Sequence, residues 1–252
     1  MQTAGTVGDD KRRPLAASIF YRWPVLSQVL AAVNSRFQFQ LLRFYRDPAV
    51  VRNIASIIRD FDLQMQPFDA FTLHTLVAMQ SNLPGVMAEV GVYRGGSSKI
   101  ISLASGGRET YSFDTFSGLP QPKEVDTYFG LRWFKNGQYA ADYDSVVRSL
   151  SEFPNLHFVR GFFPESGDVL KDKRISFANV DVDLYQGTLD SLRFLWPLLL
   201  PGGVILVHDS HALGVRQAVN EFITSIPDAR RFACGGSQVA LVKRTRLLYE
   251  GL

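Results

Sequence analysis

Apolar residues recur at helical spacing through the first third of this chain and in short, bounded runs through the rest. After Pro24, Val25, Leu26, Val29, Leu30 and Val33 follow the i, i+3, i+4 pattern of one helical face. Proline is well placed at a first helical position, so a helix is expected from Pro24. Phe37, Phe39, Leu41, Leu42, Phe44 and Tyr45 continue the apolar pattern, with Arg36, Arg43 and Arg46 among them. Pro48 opens a second helix with Val50, Val51, Ile54, Ile57, Ile58 and Phe61 on one face. A third spans about Asp69–Ser81, and Asn82, Pro84 and Gly85 break the chain after it.

From Val86 the pattern changes to strand and helix in alternation. Strands are expected at 86–92, 109–114, 156–160, 175–183 and 204–207, the last after a Pro201-Gly202-Gly203 turn. Helices are expected at 97–104, 188–199 and 215–226. Residues 229–234 and 238–243 read as a closing hairpin across Gly235-Gly236. This alternation predicts an α/β fold of Rossmann-like character, with a mostly parallel sheet, an antiparallel edge hairpin and helices on both faces. The expected organisation is a loose tail over 1–13, a helical segment over 14–82 that caps the sheet or joins two subunits, and a cofactor-binding domain over 83–252.

Ligands in such sheets lie beyond the carboxyl ends of the strands. The first expected strand ends in Glu89-x-Gly91-x-Tyr93-x-Gly95-Gly96-Ser97-Ser98. Glycine at the turn admits positive φ and close approach of a ligand, and Ser97 or Ser98 is suited to capping the next helix. The spacing differs from the dinucleotide fingerprint G-x-G-x-x-G. An acid at this turn disfavours a pyrophosphate and favours a cationic cofactor such as S-adenosylmethionine. Asp114, at the end of the second strand, lies at the offset where an acid reaches a ribose, and a carboxylate can accept from both ribose hydroxyls. Phe162, after the third strand, is placed to cover an adenine face or to pack in the core.

Asp181-Val182-Asp183 and His208-Asp209-Ser210-His211 end the fourth and fifth strands. Carboxylates brought close together repel unless a cation joins them. Oxygen ligands suit magnesium, calcium or manganese, whereas His208 tilts the set towards a transition metal. Asp183, or His211 with its suitable intrinsic pKa, is a candidate base for a substrate hydroxyl.

Composition narrows the setting. The chain has 252 residues, 46% of them hydrophobic and 20% charged, which suits one α/β domain with an added segment. Cys234 is the only cysteine, so neither a disulfide framework nor a cysteine metal site is available, and a reducing, cytoplasmic setting is expected. The net charge of +3 is uneven, since residues 1–60 hold nine Lys/Arg against four acids. No apolar run is long enough for a membrane span, and the basic excess lies away from the strand ends, so neither a membrane span nor a nucleic-acid substrate is expected.

The motifs Glu89-x-Gly91-x-x-x-Gly95-Gly96-Ser97-Ser98, Phe113-Asp114-x-Phe116-x-Gly118-Leu119-Pro120, Gly161-x-Phe163, Asp181-x-Asp183-Leu184-Tyr185-x-x-Thr188 and Pro201-Gly202-Gly203-x-x-x-x-His208-Asp209 together resemble the macrocin O-methyltransferase-like family of class I methyltransferases. The resemblance covers roughly 83–243. It implies S-adenosylmethionine as cofactor, magnesium or another divalent ion as helper, and a hydroxyl acceptor on a sugar or glycosylated natural product. It implies Glu89 and Gly91 at the methionine end of the cofactor, with Tyr93, Gly95, Ser97, Phe162 and Asp181 around it. Asp114 would hold the ribose, and Asp183 and Asp209 the metal. Antibiotic-modifying members carry an acid where this chain has His208.

The 121–143 stretch, with Tyr128, Phe129, Trp133, Phe134, Tyr139 and Tyr143, is expected to form an aromatic lid hinged at Gly130 and Gly137. The N-terminal helices are expected to join a homo-oligomer. The alternatives are a metal-independent methyltransferase of the same fold and a catalytically degenerate domain that binds a partner.

Overall fold

A computed structural model describes residues 24–127 and 131–244. The tail, residues 14–23, and Tyr128, Phe129 and Gly130 of the expected lid lie outside the described residues.

Three helices come first: α1 (Pro24–Tyr45), α2 (Pro48–Asp60) and α3 (Pro67–Gln80). Asp47 caps α2 by accepting the Ala49 N–H at 2.7 Å, and Pro48 fills the first turn. Next come β1 (Val86–Val90), α4 (Gly96–Ala104) and β2 (Thr110–Asp114). The long connection to β3 (Leu156–Arg160) holds a short helix, α5 (Tyr143–Ser149). A 3-10 turn (Glu165–Leu170) precedes β4 (Ile175–Val180). The rest runs α6 (Tyr185–Leu198), β5 (Leu199–Val207), α7 (Leu213–Ser225), β6 (Ala229–Ala233) and β7 (Val239–Lys243).

The sheet order is β3-β2-β1-β4-β5-β7-β6. The first five strands are parallel; β7 pairs antiparallel with β5 and β6 antiparallel with β7. Chain order therefore reverses direction between β1 and β4, the place where open α/β sheets leave a crevice.

All six residues of β4 are buried, as expected of a parallel strand covered on both faces. Helices α6 and α7 cover one face through Leu189, Leu192, Leu195, Val215, Val219 and Phe222. Helices α2, α3 and α4 cover the other through Ile54, Ile57, Leu73, Val77, Ile100 and Ile101, so α2 and α3 share the sheet's own core. Helix α1 rides outside them. Its Leu26, Val29, Leu30, Val33 and Phe37 form the expected stripe but are exposed, while Gln38 Oε1 accepts the Phe68 N–H at 3.0 Å.

Four local expectations are corrected. Strand β4 stops at Val180 rather than Asp183, because Asp183 takes a left-handed φ of 62° that no strand accommodates. Strand β5 begins before the Pro-Gly-Gly turn. Leu199 pairs with Ile175 and Val204 with Phe177, so Pro201-Gly202-Gly203 is looped out as an irregularity within the strand. Helix α5 forms where no helix was expected, capped by Asp142, whose side chain accepts the Ser145 N–H at 2.9 Å. Neither Ser97 nor Ser98 caps α4; left-handed Gly95 does, without a side-chain bond.

Candidate active site

A cleft of about 330 Å³ opens beyond the carboxyl ends of the parallel strands. Gly91, Tyr93, Ser97, Asp114, Phe162, Asp181, Asp183, His208 and Asp209 all line it. Among the other residues singled out from sequence, Glu89, Gly95 and His211 are not part of this lining. Sequence patterning missed the wall made by Phe61, Leu63 and Gln64, in the connection from α2 to α3. Gly96 packs closely there, since an added Cβ would stand 3.0 Å from Leu63 Cβ. No motif marks this wall, because its role comes from packing alone.

The turn after β1 is held by backbone. Gly91 has a φ of 95°, and its N–H donates to the Phe113 carbonyl at 2.9 Å. A Cβ at Gly91 would lie 1.9 Å from the Asp181 carbonyl oxygen. Only glycine fits between β1 and the end of β4 at this point. Glu89 lies beneath, with no exposed surface. Its Oε2 accepts from the Ser98 hydroxyl at 2.5 Å and the Ser112 hydroxyl at 2.8 Å. Ser98 therefore spends its hydroxyl on Glu89 rather than on a helix cap. Burial pushes the Glu89 carboxyl above its ordinary range, against the hydrogen bonds from Ser97, Ser98 and Ser112.

Asp114 ties β2 to the same turn. Its Oδ2 accepts the N–H groups of Val92 and Tyr93 at 2.8 and 2.9 Å, and its Oδ1 accepts that of Phe116 at 2.7 Å. Three of the roughly four acceptor positions on a carboxylate are thus filled, which leaves one on Oδ1 for a ligand hydroxyl.

The acids and the imidazole gather on the opposite rim. His208 Nδ1 stands 3.3 Å from Asp181 Oδ1 and 3.4 Å from Asp209 Oδ1. One ligand atom from each of Asp181, His208 and Asp209 falls within 4.8 Å of the others. Asp183 joins through Asp209, to which it hydrogen-bonds. Burial, then the charges of Asp209 and Asp181, raise Asp183 well above the usual carboxyl range, which favours its protonated form. Asp209 is held below that range: burial opposes its charge, but His208 and the bond from Asp183 outweigh it. Burial pulls His208 down, yet Asp181 and Asp209 outweigh this and raise it well above the ordinary imidazole value. The protonated forms favoured at Asp183 and His208 offset carboxylate charge that a divalent ion would offset in their place. The donor set fits such an ion, with two carboxylate oxygens and a buried ring nitrogen directed at one small volume. His211 is lowered chiefly by burial, and its Nε2 is 3.7 Å from Asp209 Oδ1.

Backbone strain concentrates here. Tyr93, Tyr139, Asp183 and Asp209 combine positive φ with a place on the cleft wall. The expected lid aromatics divide. Tyr139 lines the cleft and meets Tyr93 edge-on at 5.5 Å. Phe134 is in the core, Tyr143 packs on Phe116, and Trp133 is exposed. The connection is pinned at Asp126, whose Oδ1 accepts the Tyr185 N–H at 2.7 Å and Oδ2 the Lys123 N–H at 2.8 Å. Gly137 returns to Leu119 by a backbone bond of 2.8 Å. Among the described residues no helix is long and apolar enough to cross a membrane.

Residues 67–226 match the family described as Macrocin-O-methyltransferase (TylF). A Streptomyces olivaceus protein, 8-demethyl-8-(2,3-dimethoxy-alpha-L-rhamnosyl)-tetracenomycin-C 4'-O-methyltransferase, is 28% identical over 188 residues, 69% of each chain. Mycinamicin III 3''-O-methyltransferase of Micromonospora griseorubida is 26% identical over 162 residues, 58% of this chain and 63% of its own. The fold is shared with the O-methyltransferase NovP at a TM-score of 0.61 and 22% identity, over 86% of this chain and all of that one. On the family match, which spans more than half its length, this chain belongs to the macrocin O-methyltransferase family of S-adenosylmethionine-dependent enzymes.

Proposed function

We propose that the protein transfers the methyl group of S-adenosylmethionine to a hydroxyl of a sugar or glycosylated natural product, with a divalent ion bound at the acid-lined rim. One observation carries the reading: Asp114, beside the glycine turn, and the Asp181–Asp183–His208–Asp209 group open into a single cleft. The relatives' acceptors, a rhamnosyl tetracenomycin and mycinamicin III, support the substrate class. The exposed stripe of α1 supports a homo-oligomer formed through that helix.

In this reading Asp114 Oδ1 accepts a ribose hydroxyl, and the Gly91 turn lets the cofactor approach the main chain. Phe162 covers the adenine. Glu89 acts from below the turn, where a nearby sulfonium favours its ionised form. The cofactor supplies an already activated methyl group, and a divalent ion held by Asp181, His208 and Asp209, with Asp183 beside Asp209, would when bound lower the pKa of the acceptor hydroxyl. The chain's own work is to orient that hydroxyl and take its proton. Asp183 lines the cleft, and its carboxylate form, favoured by a cation at the neighbouring Asp181, His208 and Asp209, would accept that proton. His211 is neutral and partly buried behind Asp209, the place of a relay to solvent rather than of first contact. Tyr139 is kept protonated chiefly by burial, and so is a hydrogen-bond donor on the acceptor side of the cleft.

The test is thermal stabilisation by S-adenosylhomocysteine with and without divalent metal, followed by methyl transfer from labelled cofactor to rhamnosylated acceptors. Asp114→Asn should weaken adenosylhomocysteine at least about tenfold, a loss of ~1.4 kcal/mol. No stabilisation under any condition would remove the reading. A second, metal-free reading is favoured by one observation, the His208 ring already seated between the Asp181 and Asp209 carboxylates, which favour its charged form. Turnover undiminished by chelation would select it.

A further inference from the structure

His208 is held from behind as well as from within the cleft. Its Nε2 lies 3.1 Å from the Ser237 hydroxyl. That hydroxyl donates to Asp69 Oδ2 at 3.1 Å, and the Ser237 N–H donates to Asp69 Oδ1 at 3.1 Å. Asp69 belongs to α3, is 1% exposed, and is the only charged residue of that helix. The backbone is shaped around this contact. A Cβ at Gly236 would fall 2.0 Å from Asp69 Oδ1, and Gly236 has a φ of 88°. Ser237 also accepts the Ser210 N–H and hydroxyl on its carbonyl, both at 2.8 Å, which fixes it beside the His208-Asp209 strand end.

A hydroxyl has one proton. Since Ser237 gives its proton to Asp69, it meets Nε2 with a lone pair, and Nε2 must carry the ring's N–H. In the neutral ring the remaining lone pair is then on Nδ1. That atom is buried and has no hydrogen-bond partner, and it faces Asp181 Oδ1 and Asp209 Oδ1 at 3.3 and 3.4 Å. Separations of this size are those of neighbouring ligands around an ion bound at about 2.0–2.2 Å.

We propose that Asp181, His208 and Asp209 form a nitrogen-containing metal site in which Asp69 and Ser237 act as positioning residues that fix His208 as an Nδ1 ligand, so that the site selects a borderline divalent ion of the zinc and cobalt class over magnesium. This rests on the metal-assisted reading above and deepens it. An imidazole ligand favours such ions, whereas magnesium prefers oxygen alone. Ligating imidazoles are oriented by an acceptor for their other N–H, and loss of that acceptor costs about 10–100-fold in metal affinity. Here the acceptor comes from the closing hairpin and its anchor from α3, a helix N-terminal to the first strand. A segment outside the cleft would thereby set which metal the cleft holds.

The experiment uses the full chain, stripped with a chelator and then equilibrated separately with cobalt(II), zinc and magnesium. Bound metal per chain and the visible spectrum of the cobalt form are read. One cobalt or zinc per chain, undisplaced by excess magnesium, is expected. Ser237→Ala should lower cobalt affinity about 10–100-fold and alter the cobalt spectrum, with a lower metal-free melting temperature as well, because buried Asp69 Oδ2 loses its donor. His208→Asp should lower cobalt affinity and admit magnesium, which also shows that the ion is at this site. Magnesium bound as tightly as cobalt by the wild type would overturn the inference and leave metal-assisted transfer standing. No metal bound, with stabilisation by adenosylhomocysteine intact, would overturn both the inference and the metal-assisted reading while sparing the methyltransferase. Unchanged cobalt affinity in Ser237→Ala would overturn the positioning role.

Discussion

Gly91→Ala tests whether the cleft depends on contact between the ends of β1 and β4. The new Cβ would sit 1.9 Å from the Asp181 carbonyl oxygen and 2.8 Å from its carbon, both of them backbone atoms that cannot rotate away. Gly91 also has a φ of 95°, and a left-handed conformation costs an L-residue ~1–2 kcal/mol. Relieving the overlap must move the end of β4, where the Asp181 N–H bonds the Val90 carbonyl at 2.8 Å. Forced overpacking adds ~1–3 kcal/mol. The sum, about 2–5 kcal/mol, is a large part of the ~5–15 kcal/mol typical of a folded domain. For a chain of this size it lowers the melting temperature by about 5–20 °C. Gly137→Ala is the control. Gly137 has a φ of 77° but open space around its Cβ position, so only the conformational cost of ~1–2 kcal/mol applies. Urea unfolding of both variants, with adenosylhomocysteine titration of each, measures the difference. Gly91→Ala should be clearly the less stable and should lose ligand affinity, while Gly137→Ala keeps it. Equal stability of the two variants would refute the steric argument, and wild-type ligand affinity in Gly91→Ala would refute the role of this contact in shaping the cleft.

Other outcomes follow from the same contacts. Burial raises the Glu89 pKa, so the folded chain keeps a proton that the unfolded chain has lost. The stability this contributes is fully present below the unfolded value of about 4.3 and is lost as pH rises through the folded value. Glu89→Gln stays uncharged, so its urea midpoint relative to wild type should rise with pH across that window; parallel curves would refute the assignment. Asp126→Ala removes the acceptor for the Tyr185 and Lys123 N–H groups. It should cost ~1–3 kcal/mol and speed proteolysis within the 121–142 connection, and unchanged melting and cleavage would show that this anchor holds little.

Much of the fold was legible because most elements carried their own signal. Prolines 24 and 48 mark helix starts, and short apolar runs bounded by glycine mark strands. Even β5 held its signal, although Pro201-Gly202-Gly203 is a bulge within the strand rather than a turn before it. The residues that line the cleft were legible for a related reason. Topology sends strand ends to one rim, so an acid just beyond a strand can be placed before the structure is known.

What the chain's order of residues determined is the parallel α/β sheet, the glycine turn after its first strand and the acid-rich rim, because periodicity and turn chemistry act over a few neighbouring residues. Contacts between residues distant in sequence were decided only by tertiary structure. Asp69 and Ser237 are 168 residues apart, yet they meet behind His208. Phe61, Leu63 and Gln64 reach the cleft from a segment that carries no motif. Glu89 is turned under the strand rather than into the cleft, and Asp114 has most of its acceptor capacity taken by backbone N–H groups. Sequence spacing fixes where a side chain starts; burial and the nearest available partner fix where it points and what charge it carries, and those are set when the layers close on one another.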